Sequence, residues 1–379
     1  MVFREGKKKI AKVRFTFFLY EVALVFVFLF VILLVPLFLV PLFSAGNPVL
    51  YGILFYGLRA LFIFLGVPLI LYLTNIIYES QKRKVIIDED FSPSTGHLKL
   101  YKITKKNYKY QILYGLVIFF LVFLPLDFFT YFLIPETIEY QAVVYGFKTT
   151  NTYLLSDKYI EFLISAIIIH IAVSITEETL VRGFIAKRGN EYFIKMSAVM
   201  ISSLYFGLGH FAFFLDPLSR AYPFWFPIVW FIESFIIGII LALFVLRKKW
   251  ILPVIIAHAL NNIVSAHTLW SFWKGINFQV VALFVYIPLF IIGILFVLVC
   301  ILLVWPLSSV KTALSNGFTE IKSYFKLESP LESPLERSYL VSQHRVEINV
   351  RTTGDLLFRI FFDILIGFLI FIMGFLVAI

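Results

Sequence analysis

The chain has 379 residues, of which 61% are hydrophobic and 15% are charged, and it includes 45 Phe and 20 Tyr. A soluble globular protein does not carry so apolar a composition, so the sequence indicates a protein that crosses a membrane several times. The formal net charge is +10, but the basic residues follow the apolar segments and do not form one patch, which argues against binding to nucleic acid.

Apolar runs of about 20 residues, long enough as helices to cross about 30 Å of hydrocarbon, recur along the chain. We predict eight spans and a ninth at the C-terminus, at residues 17–43, 51–78, 111–134, 160–182, 196–215, 225–246, 250–270, 278–305 and 356–379. The expected fold class is all-α, a polytopic transmembrane helix bundle with 8–9 spans.

The spans divide the chain into four parts. We expect N-terminal membrane anchor helices and a basic cytoplasmic loop at 1–110, a membrane core at 111–305, a cytoplasmic linker at 306–355 and a C-terminal transmembrane helix at 356–379. Within the linker, Leu-Glu-Ser-Pro occurs twice in succession from residue 327, and its prolines are incompatible with a helix. We predict an amphipathic interfacial helix at 310–326 and a short strand at 339–350.

Lysine and arginine alternate between loops. They are concentrated before the first span and after the second, fourth and sixth spans, whereas the intervening loops carry few. Basic loops of membrane proteins stay in the cytoplasm, so we predict a cytoplasmic N-terminus and a chain that is an integral, multi-pass membrane protein. The first apolar run is too long for the core of a cleaved signal peptide, and we interpret it as a retained anchor.

The first polar motif lies in the fourth span, where Glu177-Glu178 is followed by Arg182. Charges at membrane depth cost at least about 2.5–3.5 kcal/mol each on insertion scales, so they mark a candidate functional site. Positions four apart share a helix face, so Glu178 can pair with Arg182 while Glu177 points away from the pair. Glu177 is then left in a less compensated, low-dielectric environment, which suits a general base.

Two later spans each bring histidine into the membrane. The fifth span carries Phe206 and His210, and the seventh carries His258 followed by Asn261 and Asn262. His258 and Asn262 are four residues apart and share a face, so both can donate hydrogen bonds to one oxygen atom, as an oxyanion hole requires. His210 can share a water molecule with the carboxylate of the fourth span.

The depths of these side chains are compatible with one site. At about 1.5 Å per residue from the basic loops, Glu177 and His258 lie about 13–15 Å deep and Asn262 about 20 Å deep. His210 reaches a similar depth if residues 190–196 lie along the interface or the fifth span is strongly tilted. We therefore expect side chains from the fourth, fifth and seventh spans to meet around a pocket that opens toward the cytosol.

Three motifs, Glu-Glu-x-x-x-Arg, Phe-x-x-x-His and His-x-x-x-Asn, each on its own span and in this order, resemble the CAAX prenyl protease type 2 family, also called the CAAX protease and bacteriocin-processing or abortive-infection family. The resemblance covers roughly residues 160–270. It implies an intramembrane glutamate endopeptidase that uses neither a metal nor another cofactor, with membrane lipids and a peptide with a membrane-associated C-terminus as its partners.

The resemblance also implies a role for each motif residue. The residues matching Glu177 and His210 would activate the water molecule, and those matching His258 and Asn262 would stabilise the tetrahedral oxyanion. Glu178 and Arg182 match a structural acid and base pair, and Phe206 supports the site. The doublet Asn261-Asn262 leaves open which amide points inward, and helical spacing favours Asn262.

Two other functions stay open. Two histidines and a carboxylate can bind Zn²⁺ or Fe²⁺ and would give a metal-dependent hydrolase, although Arg182 would repel a cation and the amide of Asn262 is a poor zinc ligand. A transporter, or a scaffold that binds a partner through residues 306–355, is the other alternative; we find no internal repeat of the motif spans that would favour a transporter. The single cysteine, Cys300, excludes an intrachain disulfide and a cysteine-based metal site.

Other ionisable residues also fall inside predicted spans. We interpret Asp127, Glu233 and Asp363 as packing contacts or the edge of a pore, with Glu233 a candidate for touching substrate. His170 precedes Glu177 by seven residues, and we interpret it as a hydrogen-bonded core histidine.

Overall fold

The computed structural model describes residues 2–44, 46–79, 101–327 and 352–378, and these ranges contain helices and turns without a strand. The helices are α1 (2–44), α2 (Pro48–Glu79), α3 (Tyr108–Leu133), α4 (Glu136–Gly146), α5 (Tyr159–Tyr192), α6 (Lys195–Phe211), α7 (Trp225–Lys248), α8 (Leu252–Trp273), α9 (Phe278–Leu303), α10 (Leu307–Ser323) and α11 (Thr353–Ala378). The strand predicted at 339–350 and most of the repeated Leu-Glu-Ser-Pro sequence lie outside the described residues.

The predicted all-α bundle is confirmed. In the described ranges, nine helices, all except α4 and α10, are long and apolar enough to cross a membrane. Span four runs further than predicted, to Tyr192, because its polar residues have partners inside the protein. Arg182 binds Glu178 and Arg188 binds Glu21 of α1, with a distance of 2.7 Å between Arg188 Nη2 and Glu21 Oε1. Paired charges of this kind do not end a membrane helix.

One end of the bundle, which we call the aromatic end, is formed by α4, the short 3₁₀ helix Thr149–Leu155 and residues 212–224. These segments contact each other directly. The hydroxyls of Tyr140 and Ser219 lie 3.0 Å apart, and the Tyr222 hydroxyl donates to Glu139 Oε1 at 3.2 Å. Aromatic rings fill the space between them, with Tyr140 packed against Phe226.

The other end, which we call the basic end, holds the turns after α5 and α7 together with α10. Glu320 of α10 accepts hydrogen bonds from Lys195 at 3.1 Å and from Arg247 at 2.9 Å. Lys187 Nζ donates to the carbonyl of Lys249 at 2.9 Å. The helix predicted at 310–326 is therefore present, at Leu307–Ser323. Glu320, the only acidic residue in this helix, binds it to the bundle.

The C-terminal helix is packed into the bundle. Asp363 of α11 accepts from Arg14 of α1 at 2.5 Å, from Ser197 of α6 at 2.9 Å and from Tyr324 at 2.7 Å. Asp363 is 1% exposed, so its charge is stabilised by these donors and not by water. The packing role expected for Asp363 agrees with these contacts, and α11 is connected to both α1 and α6.

Candidate active site

A cavity of about 710 Å³ lies inside the bundle between α2, α3, α5, α6, α7, α8 and α11. Four of its lining residues are those that the sequence analysis assigned to catalysis: Glu177, His210, His258 and Asn262. The side chains of three different spans therefore meet around one space, as predicted.

Glu178 and Arg182 form the predicted ion pair within α5. Arg182 Nη1 lies 3.0 Å from Glu178 Oε1, and both side chains are completely buried. The same Glu178 oxygen also binds His258 Nδ1 of α8 at 2.8 Å. This second contact joins α5 to α8, and sequence spacing gave no indication of it.

The helix changes geometry at this point. Residues up to Glu178 are α-helical, and the following 8 residues, Thr179–Ala186, are π-helical. π-helical turns are rare and occur frequently at functional sites, because they rotate the side chains on one side of the turn relative to those on the other. The Tyr101 hydroxyl contacts Thr179 Oγ1 at 2.7 Å at the start of this stretch.

Glu177 points away from the Glu178–Arg182 pair and lines the cavity. Its side chain is 36% exposed, whereas that of Glu178 is fully buried. The expected division between the two carboxylates is therefore present, but Glu177 is less enclosed than the sequence analysis supposed. Its Oε2 atom lies 3.6 Å from His258 Nε2, so the imidazole stands between the two carboxylates.

Two aromatic rings hold the His258 imidazole in place. Phe123 of α3 stacks on it with ring centroids 5.8 Å apart, and Phe206 of α6 meets it edge-on at the same distance. Phe206 also lies 4.2 Å from the Arg182 guanidinium and 4.8 Å from the His210 ring. The expected supporting role of Phe206 thus has a physical basis, because its ring touches a charged or polar group of each motif.

Hydrogen bonds define which nitrogen of each imidazole carries a proton. His210 Nδ1 lies 3.0 Å from the carbonyl oxygen of Phe206, which can only accept, so Nδ1 donates and Nε2 of the neutral ring keeps its lone pair. For the same reason His258 Nδ1 donates to the carboxylate of Glu178. His258 Nε2 can then donate only when the ring is a cation.

The position of His210 depends on a break between α5 and α6. α5 ends at Tyr192, Phe193 and Ile194 are extended, and α6 starts at Lys195. His210 is therefore about 22 Å along α6, within the range that the sequence analysis required, and it lines the same cavity as Glu177.

The two asparagines of α8 differ in their surroundings, although both line the cavity. Asn261 is 8% exposed and lies near Asp127 of α3. Asn262 is only half-buried, which leaves its amide more accessible to a bound molecule. This difference supports the choice of Asn262 made from helical spacing.

Further charged residues line the cavity that the sequence analysis did not assign to the site. Asp127 and Glu233 lie near each other, and Glu233 accepts a hydrogen bond from Thr130 at 3.2 Å. His170 binds the Tyr153 hydroxyl at 2.8 Å, as expected for a core histidine, but it also faces the cavity. Arg59 of α2 lines it as well. In the sequence, each of these residues is an ionisable side chain within an apolar span, and this feature marks them as candidates for the site.

The cavity extends to the aromatic end. Its lining there includes Lys148, Thr150, Leu215 and Asp216, and Leu215 is 59% exposed. Lys148 Nζ lies 4.1 Å from the centroid of the Phe213 ring, and burial lowers the pKa of this amine while the nearby Asp216 opposes the shift. The sequence analysis expected an opening on the side of the basic loops, and the lining of the cavity includes loops of the opposite end.

Within the described ranges, no group of three His, Cys, Asp or Glu side chains is placed to hold a metal ion.

We predict that Arg182→Met destabilises the protein by about 3–5 kcal/mol, because it leaves the buried carboxylate of Glu178 without its cation. Thermal unfolding in detergent measures this effect. Lys274→Met is the matched control: it also removes an ion pair, but its partner Asp157 is fully exposed, so we expect little change. Equal losses in the two variants would contradict the central role of the buried pair.

We predict that a cysteine in the cavity reacts from the aromatic end. In a Cys300→Ala background, Ser265→Cys lines the cavity, Asp157→Cys marks the aromatic end and Lys322→Cys marks the basic end. A membrane-impermeant thiol reagent should label Ser265→Cys from the same side of a sealed vesicle as Asp157→Cys. Labelling from the side of Lys322→Cys would show that the opening is at the other end.

Comparison with known families agrees with the geometry. Residues 159–264 match a family model described as type II CAAX prenyl endopeptidase, Rce1-like. This segment contains every motif residue named above, and the match confirms the resemblance found in the sequence. No curated protein and no solved structure gave a match.

Proposed function

We propose that this membrane protein, whose residues 159–264 match a family model of type II CAAX prenyl endopeptidases, is a glutamate-type intramembrane endopeptidase that works without a metal. Its substrate is a peptide with a membrane-anchored C-terminus, for instance a prenylated one. The observation that carries the proposal is that Glu177, His210, His258 and Asn262, from three helices, line one cavity.

Glu177 is the proposed general base. It is the more exposed of the two motif carboxylates, and His210 offers the lone pair of Nε2 from the facing helix. Glu177 takes one proton from a water molecule held between them, and the water oxygen bonds to the carbonyl carbon of the substrate. The carbonyl π electrons move to its oxygen. When the C–N bond breaks, the leaving nitrogen receives the proton from Glu177.

His258 and Asn262 are the proposed donors to the oxyanion. Two carboxylates, those of Glu177 and Glu178, lie next to His258, and Arg182 binds Glu178. His258 Nε2 serves as a donor when the imidazole carries a proton on both nitrogens. The amide of Asn262, one helical turn further along α8, is the second donor. Glu178 and Arg182 orient the imidazole and do not touch the substrate.

The basic end is proposed to face the cytoplasm, since its loops hold the lysine and arginine clusters. The cavity then opens on the non-cytoplasmic side of the membrane. Its aromatic lining, which includes Phe55, Phe213, Trp230 and Phe375, fits the apolar side chains of a peptide or a lipid chain. The substrate class that follows is a membrane-associated peptide presented from the non-cytoplasmic face.

The test of this function is cleavage of lipidated and plain peptides by protein in nanodiscs, followed by mass spectrometry. We expect Glu177→Gln to lose cleavage by at least about a thousandfold, because the amide cannot accept the proton of water, while its unfolding temperature stays near that of the wild type. Cleavage by Glu177→Gln at the wild-type rate would exclude the glutamate mechanism. Loss of activity on adding a chelator would favour the metal-dependent alternative.

A second prediction concerns the asparagine doublet. Loss of an oxyanion donor typically lowers the rate on the order of 10²–10³-fold, so we expect Asn262→Ala to lower kcat by this amount. Asn261→Ala is the matched control on the neighbouring position, and it should lower kcat much less because its amide is buried beside Asp127. A larger kcat loss in Asn261→Ala would assign the oxyanion role to Asn261.

A further inference from the structure

Arg59 is a positive charge in the middle of a membrane span. It lies in α2, about 16 Å along the helix from Pro48, within the span Pro48–Leu73. An arginine at this depth is costly unless something binds it. It lies outside the segment that matches the protease family, and none of the three motifs includes it.

Arg59 differs from the other membrane arginines. Each of the others named above binds a carboxylate: Arg14 binds Asp363, Arg182 binds Glu178 and Arg188 binds Glu21. Arg59 forms no ion pair or hydrogen bond with a described residue, and its Nε atom is buried without a partner. The bundle therefore supplies a counterion for each of these three arginines and leaves the guanidinium of Arg59 unmatched.

The unmatched charge is in the proposed active-site cavity. Arg59 lines the same space as Glu177 and His210. Arg59 and Glu177 both lie close enough to Tyr56 and Tyr205 to act electrostatically on the two hydroxyls. The proposed base and the guanidinium of Arg59 thus both lie near the same two tyrosines. Among the described residues, no acid that lines the cavity forms an ion pair with Arg59.

We infer that Arg59 is the carboxylate-binding residue of the cavity and holds the free C-terminal carboxylate of the peptide substrate. A guanidinium presents two parallel N–H donors that match the two oxygens of a carboxylate. Every peptide with an unmodified end carries this group, whatever its sequence. When this carboxylate is bound to Arg59, a peptide bond near the C-terminal end of the substrate lies next to Glu177. The inference rests on the proposed protease function and adds the feature by which the substrate is selected.

Binding tests the site without catalysis. The probes are three apolar octapeptides with an N-terminal fluorophore: a free acid, its C-terminal amide, and the amide with Glu as the last residue. Each is titrated into Glu177→Gln protein in nanodiscs, and anisotropy gives Kd. Charge-assisted hydrogen bonds lead us to expect roughly 10- to 100-fold tighter binding of the free acid than of the plain amide. Tighter binding of the Glu amide than of the free acid would assign Arg59 to a side chain.

Substitutions of Arg59 assign the effect to this residue. Arg59→Gln should bring the Kd ratio of acid to amide close to one, and Arg59→Lys, which keeps the charge but not the paired donors, should retain part of it. Lys148→Gln is the matched control, because it removes another cation that lines the cavity, and it should keep the full ratio. For cleavage by the wild-type protein, we expect a lower KM for the free acid than for the amide.

The outcomes separate this inference from the proposed function. Equal binding of acid and amide, no binding of any peptide, or a preference that survives in Arg59→Gln overturns the carboxylate site, even where the wild type cleaves peptides. A preference that depends on Arg59 in a protein that cleaves none of them supports the site and overturns the protease function. Arg59→Lys and the unfolding temperature of each variant distinguish a lost contact from a lost fold.

Discussion

One buried carboxylate organises the site. Glu178 Oε1 accepts from Arg182 in its own helix and from His258 in α8, and Phe206 of α6 covers both donors. Three helices that are distant in sequence are therefore fixed relative to one another by a single charged oxygen and one ring. The orientation of His258 follows from this contact, and so does the position of its Nε2 atom beside Glu177.

Buried ion pairs also connect the helices that surround the site. Arg188 of α5 binds Glu21 of α1, and Arg14 of α1 binds Asp363 of α11, so buried ion pairs tie the first helix to α5 and to the last helix. Asp363 also accepts a hydrogen bond from Ser197 of α6. Breaking such a pair is expensive because the remaining charge cannot be hydrated. These contacts extend beyond residues 159–264 to the first and last helices and support the helices that present the motifs. The first and last helices are thus packed as part of the scaffold.

The sequence predicted the positions of the spans and the contacts between residues of the same helix. Apolar length gave all nine spans, and the four-residue repeat gave the Glu178–Arg182 pair. It could not find contacts between helices, such as Glu178 with His258 or Asn261 with Asp127, because nothing in the spacing of α3, α5 and α8 sets how they rotate against each other. The extension of the cavity to the loops of the aromatic end was not predicted for a similar reason, because hydropathy does not encode loop conformation.

Because α5 contains the π-helical stretch Thr179–Ala186, the number of residues in this helix is itself constrained. Each residue added to or removed from a helix turns everything beyond it by about 100°. The wide turn absorbs part of such a rotation, so the glutamates can face α8 while Arg188, lower on the same helix, still faces Glu21 of α1. The number of residues between Glu178 and Arg188 must therefore suit two neighbouring helices at once, α8 and α1. The helix fixes the angle between the residues of the site and the residue that binds α1.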